Sequence, residues 1–402
     1  MVITDENKIK ELLTRGVDEV IDKDDLEKRL KSGKQLRIKL GIDPTSPNIH
    51  LGRSIPILKL RDFQELGHKI VFIIGDFTGV IGDTSDKDSE RPMLEEEKIK
   101  ENMKNYIDQA GKIIDINKCE IHHNGDWLSK LTYLEISKQT NIFSVNEFIS
   151  RENIQKRLNE GKRVSLREVL YPIMQGYDSI AIKADVELGG TDQRFNLLAG
   201  REMQRYYKQE PQNIVTNPLI EGLDGRKMSS SWGNTINLFE NSKDMFGKIM
   251  SLKDEFIIKY FIFVTRVDLN IIKEYEKDLK NSVNPRDIKL KLAHEIVRMY
   301  HGEEVAKKEV ENFISQFSEK KLPEDMKEFK IKNQKSKIID LLIETELCFS
   351  KTEVRKMIEQ GAVKAYDKNE NVRKISDVNE VVDIDKENII QVGKLKYIKI
   401  VK

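Results

Sequence analysis

Apolar residues recur along the first half of the chain in two rhythms. Residues 36–42, LRIKLGI, alternate apolar with basic positions, and residues 69–75, KIVFIIG, form a continuous β-branched run. Both predict strands, the second of them buried. Weaker strand signals lie at 119–124 (CEIHHN), 184–188 (ADVEL) and 213–219 (NIVTNPL). Segments with helical periodicity separate most of these, an order that predicts a mainly parallel sheet with helices on both faces. Ligands of such sheets bind beyond the carboxyl ends of the strands, so chemistry is expected in the loops that follow strands. From 241 to 318 the pattern is almost wholly helical, clearest in DIKLKLAHEIVRMY, and predicts a separate helical domain. Residues 318–337 are charged, carry Pro323 and hold few large apolar residues, which predicts a linker before a small last domain.

Composition narrows the class without changing this picture. At 402 residues, 38% hydrophobic and 34% charged, the chain reads as an ordinary soluble protein of about two to three domains. Its net charge of +1 excludes a uniformly basic chain, so any nucleic-acid surface must be a local patch. Cys119 and Cys348 are the only cysteines and stand far apart, which supports neither a disulfide framework nor a zinc site. The first residues lack a signal-peptide pattern, and no apolar run approaches the ~20 residues of a membrane helix. A cytoplasmic location and no membrane association are the expectation.

Four loops and one helix carry the candidate chemistry. In GIDPTSPNIHLGRS (41–54), Pro44 and Pro47 fix a turn and Gly52 lets backbone approach a ligand where a helix begins. Helix starts attract phosphate, and His50 and Arg53 flank that glycine as further donors. The plain alternative is a structural turn with two surface residues. In GDFTGVIGD, Gly75, Gly79 and Gly82 follow neither the dinucleotide nor the P-loop order. Asp83 at its end is either a functional carboxylate or a turn residue. In YPIMQGYDS, Tyr171, Gln175 and Asp178 share one helical face among Ile173, Met174, Ile180 and Ile182, as a pocket wall or as a solvated stripe. ELGGTDQRFN offers Gly189 and Gly190, then Thr191, Asp192 and Gln193, with helix capping as the bland alternative. DGRKMSSSWGN (224–234) has no periodic apolar residue. Its Lys227 beside hydroxyls suits a loop closing over phosphates, or simply a solvated basic loop.

The order H-x-G-x, then G-G-T-D-Q, then K-M-S-S-S after successive strands is highly specific. On these motifs the chain resembles the class I aminoacyl-tRNA synthetases, and over essentially its whole length the bacterial-type tyrosyl-tRNA synthetase family. HLGR stands where the class has His-x-Gly-His, and KMSSS where it has Lys-Met-Ser-Lys-Ser. YPIMQGYD, GGTDQ and the last domain separate the tyrosyl from the tryptophanyl enzymes. FSKTEVRKMIEQGAVKA (349–365) and QVGKLKYIKI (391–400) resemble a small RNA-binding fold shared with a ribosomal small-subunit protein and pseudouridine synthases. Lys351, Arg355 and Lys356 form a basic edge there, joined by Lys364 and Lys394, where a solvated helix face is the alternative.

The resemblance implies an α/β protein: a Rossmann-like parallel-sheet catalytic domain at 1–225, with an insertion at about 100–165 for homodimerisation. A mobile loop at 226–240, a helical domain on the anticodon side of tRNA at 241–330 and a small α+β RNA-binding domain at 336–402 follow. It implies activation of L-tyrosine by ATP, with Mg²⁺ arriving on the nucleotide and no protein-bound metal, followed by transfer to tRNA(Tyr). In that scheme Asp178 accepts the phenol hydroxyl, Tyr171, Gln175 and Asp83 hold the ammonium group, and Gln193 lies near the reacting carboxylate. Gly41, Asp43, Gly52, Gly190, Asp192 and Met228 belong to the nucleotide site, where Asp192 meets the ribose. Thr45, His50 and Lys227 stabilise the departing pyrophosphate. Three positions depart from the pattern: Lys39 stands where many relatives have a phenol-binding tyrosine, Arg53 replaces the second motif histidine, and Ser230 replaces the second loop lysine. We expect Arg53 to compensate for Ser230. Tryptophanyl-tRNA synthetase, a non-catalytic synthetase-like RNA-binding protein and an adenylyltransferase sharing the first motif are the alternatives.

Overall fold

The computed structural model describes residues 1–84, 93–318, 326–331, 335–367, 371–393 and 396–401. Contacts divide the chain into two compact units, Met1–Glu309 and Val310–Lys402.

The first unit is built on a six-stranded sheet. Its strands are β1 (Glu19–Ile21), β2 (Arg37–Ile42), β3 (Lys69–Ile74), β4 (Glu120–His123), β5 (Val186–Gly190) and β6 (Asn213–Asn217). They lie in the order β1-β6-β5-β2-β3-β4. The last five are parallel, and β1 runs antiparallel to β6 along the edge. The five parallel strands are those that the hydrophobic pattern predicts, and the α/β class is as expected. The pattern does not predict the edge strand, because three residues carry no readable period. Chain order reverses between β2 and β5, so a crevice opens there beyond the carboxyl ends.

Two helices frame that crevice. Leu51–Glu65 starts at His50, whose Nδ1 accepts the Arg53 N–H as an N-cap. Leu166–Ile182 starts at a capping box formed by Ser165 and Glu168. Pro172 inside it has no N–H for the Glu168 carbonyl, and Arg151 Nη2 takes that oxygen at 3.3 Å. Its neighbour Arg194–Tyr206 approaches closely at Gly176, where a Cβ would stand 3.3 Å from the Gly200 backbone. The stretch GDFTGVIGD, read as a loop, contains the short helix Asp76–Ile81. The helices between Ser242 and His301 belong to the same compact unit as the sheet. Among the described residues no helix is long and apolar enough to cross a membrane.

The second unit pairs a five-stranded sheet with helices Ile338–Glu344 and Lys351–Glu359 around a core that includes Leu341, Leu342, Val354, Ile358, Val363, Ile390 and Ile398. Part of the segment read as a linker is strand: Glu328–Lys330 pairs in parallel with Lys396–Val401, and Lys335–Lys337 pairs with Val381–Asp383. Glu328–Lys330 is a short, charged edge strand, a composition that looks like a linker in sequence but blunts a sheet edge in three dimensions. Pro323 lies outside the described residues.

Candidate active site

The crevice at the reversal of strand order is a cavity of about 420 Å³. Strand ends supply its floor: Gly41 near the end of β2 and Asp43 just after it, Gly75 after β3, Gly189 and Gly190 at β5, Asn217 at β6. At Gly41 a Cβ would meet nothing within 4 Å, so the absent side chain keeps this end of β2 open. Each residue proposed from sequence for catalysis, tyrosine or ATP lines this one cavity: Thr45, His50, Arg53, Lys227 and Ser230; Asp83, Tyr171, Gln175, Asp178 and Gln193; Gly41, Asp43, Gly52, Gly190, Asp192 and Met228.

Its two ends have opposite character. At one end, carboxylates surround the Leu166–Ile182 helix. Tyr171 Oη donates to Asp43 Oδ2 at 2.7 Å, and Thr78 Oγ1 donates to Asp43 Oδ1 at 2.7 Å. Burial and the nearby Asp43 and Asp83 carboxylates hold the Tyr171 phenol protonated, well above its ordinary range. Asp178 accepts from Trp127 Nε1 at 2.8 Å and Asn124 Nδ2 at 3.3 Å. Burial pushes its carboxyl up to about 7, opposed first by the Lys39 ammonium and then by those two hydrogen bonds.

At the other end cations converge. Arg53 sits on the fixed wall, with Nη2 donating to Thr45 Oγ1 and Nη1 to Tyr106 Oη, both at 3.0 Å. Burial, then Arg53 and Lys227, push His50 down to about 3, so its ring is neutral at physiological pH. With Nδ1 accepting from the backbone, the proton resides on Nε2 as a neutral donor. Lys227 Nζ is 2.7 Å from Asp192 Oδ2. The KMSSS segment is docked across the cavity: the Gly52 N–H points at Met228 Sδ (3.2 Å), and Ser230 Oγ meets Ser46 Oγ at 3.3 Å.

Lys39 stands apart from the other singled-out residues. The alternation of LRIKLGI suggests a strand with one basic face, yet Lys39 is wholly buried and paired with Glu187 below the cavity. The reason is position: β2 is a central strand with neighbours on both sides. The sequence reading missed Asn124, which lines the cavity, and Trp127, which braces Asp178 from outside it. Both follow β4, so the rule that directs attention to strand-ending loops also covers them.

In the second unit, Lys351, Arg355 and Lys356 are exposed on one helix and Lys364 is half-buried on the strand Val363–Asp367. Lys394 lies outside the described residues.

A parallel sheet whose reversal point carries an acidic end, a basic end and a phosphate-type helix start defines a nucleotide-binding α/β site. Residues 31–318 match the family described as tRNA synthetases class I (W and Y), and residues 318–400 match the tyrosine–tRNA ligase SYY-like C-terminal domain. The chain is 44% identical to the tyrosine–tRNA ligase of Thermotoga maritima, covering 99% of this chain and 98% of that protein. It is 43% identical to that of Francisella tularensis, covering 97% and 98%. The chain belongs to the tyrosine–tRNA ligase family. The fold is shared with a truncated mitochondrial tyrosyl-tRNA synthetase of Aspergillus nidulans (TM-score 0.64, 20% identity, 77% of this chain and 94% of that one). It is likewise shared with the L-tyrosine complex of the Archaeoglobus fulgidus enzyme (TM-score 0.61, 23% identity, 76% and 99%).

Proposed function

We infer that this chain activates L-tyrosine with ATP and transfers it to tRNA(Tyr). The observation that carries this reading is the bipolar cavity, with a braced carboxylate at one end and His50, Arg53 and Lys227 at the other. In the first step the tyrosine carboxylate attacks the α-phosphate, releasing pyrophosphate and leaving tyrosyl-adenylate. In the second the terminal ribose hydroxyl of tRNA takes the tyrosyl group and AMP leaves. The substrate is its own nucleophile, so the protein supplies position and charge.

Asp178 accepts the phenol hydroxyl. Tyr171, Gln175 and Asp83 receive the ammonium group, which suits the carboxylate-rich end of the cavity, and Gln193 meets the reacting carboxylate. Gly41, Asp43, Gly52, Gly190 and Met228 border the nucleotide. Asp192 takes the ribose, and in doing so releases Lys227 from their ion pair toward the phosphates. Lys227, Thr45, Arg53, Ser230 and the neutral donor of His50 meet charge gathering on the leaving pyrophosphate. Among the described residues no three His, Cys, Asp or Glu side chains converge as a metal cage, and Mg²⁺ would come bound to ATP as part of that substrate.

Lys351, Arg355, Lys356 and Lys364 present a basic edge for tRNA phosphates, and Lys394 is assigned to it by sequence. Exposed Tyr133, Leu134, Val145 and Leu166, in and just after the insertion, suit burial against a second copy as a homodimer. We take the cytoplasm, where charged tRNA is used, as its compartment. The decisive experiment is amino-acid-dependent exchange of pyrophosphate into ATP with tyrosine, phenylalanine and tryptophan. Exchange with tyrosine alone is expected, and exchange with tryptophan alone would refute the reading.

A further inference from the structure

Lys39 and Glu187 are register partners in the neighbouring parallel strands β2 and β5, beneath the cavity where strand order reverses. Their side chains are 0% and 1% exposed, with Nζ and Oε1 2.7 Å apart. The pair is fully hydrogen bonded. The three ammonium protons have three acceptors: Glu187 Oε1, the Gln175 main-chain oxygen at 2.9 Å and Ser179 Oγ at 2.8 Å. Glu187 also accepts from Gln175 Nε2 at 3.2 Å, Ser179 Oγ at 3.0 Å and Gln212 Nε2. Gly200 leaves room for this cluster, since a Cβ there would stand 2.8 Å from Gln212 Nε2 and 3.4 Å from Glu187 Oε2. Buried ion pairs are poor stabilisers compared with apolar residues of similar volume, so a network this complete beside a substrate cavity calls for another use.

We propose that the Lys39–Glu187 pair is a positioning element for the amino-acid substrate, orienting the Gln175 amide and keeping Asp178 available as a carboxylate. The proposal rests on the tyrosine reading above. Gln175 donates through Nε2 to Glu187 and accepts through Oε1 from Asn196 Nδ2 at 3.1 Å. A carboxylate only accepts, so turning the amide over would set oxygen against oxygen. Gln175 therefore offers Oε1, with a second lone pair, to the cavity it lines, which is the polarity an ammonium group requires. Lys39 meanwhile binds the backbone of Gln175 and the hydroxyl of Ser179, on either side of Asp178 in the same helix. Of the groups facing Asp178, Lys39 favours its charged form most, Trp127 and Asn124 assist, and Glu187 opposes. Tyr171, with Asp43 and Asp83 around its hydroxyl, completes the charged surroundings.

Two variants of the full chain test this by pyrophosphate exchange. Glu187→Met is close in length but removes both acceptor oxygens, and with them the lock on the Gln175 amide. The expected result is a KM for tyrosine raised on the order of tenfold, the scale of one hydrogen bond to a charged group, with KM for ATP unchanged. Lys39→Met with Glu187→Gln removes both charges, so no buried ion is stranded. Here the rise of kcat/KM for tyrosine with pH, centred near Asp178's value of about 7 in the parent, is expected to move to higher pH, because the Lys39 ammonium outweighs the opposing Glu187 carboxylate at Asp178. Folded variants with an unchanged tyrosine KM and an unchanged pH midpoint would overturn the proposal. So would loss of folding in both variants, which would make the pair a requirement of the fold. Failure of the tyrosine reading looks different, because the parent protein would then exchange pyrophosphate with another amino acid before any substitution is made.

Discussion

Replacing Asp178 by asparagine separates what a buried carboxylate does for tyrosine recognition from what it costs the fold. Burial raises the group from 3.8 to about 7, and each pH unit is worth about 1.4 kcal/mol. Between these values the native state binds more protons at Asp178 than the unfolded chain does. The stabilising contribution is therefore full below about pH 4 and is lost as pH rises through 7, by about 4 kcal/mol in total. Asp178→Asn has no such titration. The variant carries a separate penalty: its new NH₂ faces Asn124 Nδ2, a donor already directed at Thr78 Oγ1, while Asn124 Oδ1 accepts from the Phe77 N–H. That penalty, about 1–3 kcal/mol, does not depend on pH and cancels in a comparison across pH.

Urea unfolding followed by tryptophan fluorescence isolates this effect, because both tryptophans, Trp127 and Trp232, lie in the Met1–Glu309 unit. About three fifths of the loss falls between pH 5 and pH 8, so the stability difference should move in favour of Asp178→Asn by about 2.5 kcal/mol over that range. In pyrophosphate exchange the same variant should reduce the preference for tyrosine over phenylalanine on the order of a hundredfold, the scale of one charge-assisted hydrogen bond. A stability difference that is constant with pH, or that moves toward the parent, would refute a buried Asp178 that titrates near 7 in the free protein. Equal loss of tyrosine and phenylalanine use would remove it from the phenol site.

Three further outcomes are expected. His50, pushed to about 3, should give no step near pH 6.5 in single-turnover adenylate formation at saturating tyrosine, and His50→Ala should slow that reaction by about 10²–10³-fold; a parent rate that falls through pH 6–7 and a variant rate that does not would instead indicate a working imidazolium. If Arg53 compensates for Ser230, Arg53→His should slow adenylate formation strongly, Ser230→Lys should change it little, and the double variant should recover much of the rate, with a coupling above about 1 kcal/mol; additive effects would return Arg53 to the role of holding Thr45 and Tyr106. Ending the chain after Ser318 should leave tyrosine activation largely intact while tRNA charging falls, less so at low salt, and undiminished charging at moderate salt would remove the terminal unit from productive tRNA binding.

The five parallel strands and the loops at their carboxyl ends are legible in the sequence because β-branched runs and turn residues are local signals, and the catalytic-domain motifs they mark converge on one cavity. Supports from distant segments are not legible. Trp127 and Asn124 brace Asp178 from 51 and 54 residues away, and nothing in GYDS announces that its aspartate will be held from there. Lys39 misleads for a different reason. Alternation in β2 suggests one wet face, whereas a strand with neighbours on both sides and helices over the sheet has none. A usable signal is nevertheless present. In the five parallel strands, Arg37, Lys69 and Glu120 are first residues, near water, and apart from the histidines of β4 only Lys39 and Glu187 are ionisable within a strand. One is a cation and the other an anion. Isolated charges cannot be left in a sheet interior, so two lone opposite charges inside buried strands must find each other. Within the observed strand bounds the two charges account for β2 lying beside β5, and they move Lys39 from the substrate's phenol to the groups that hold the substrate's partners.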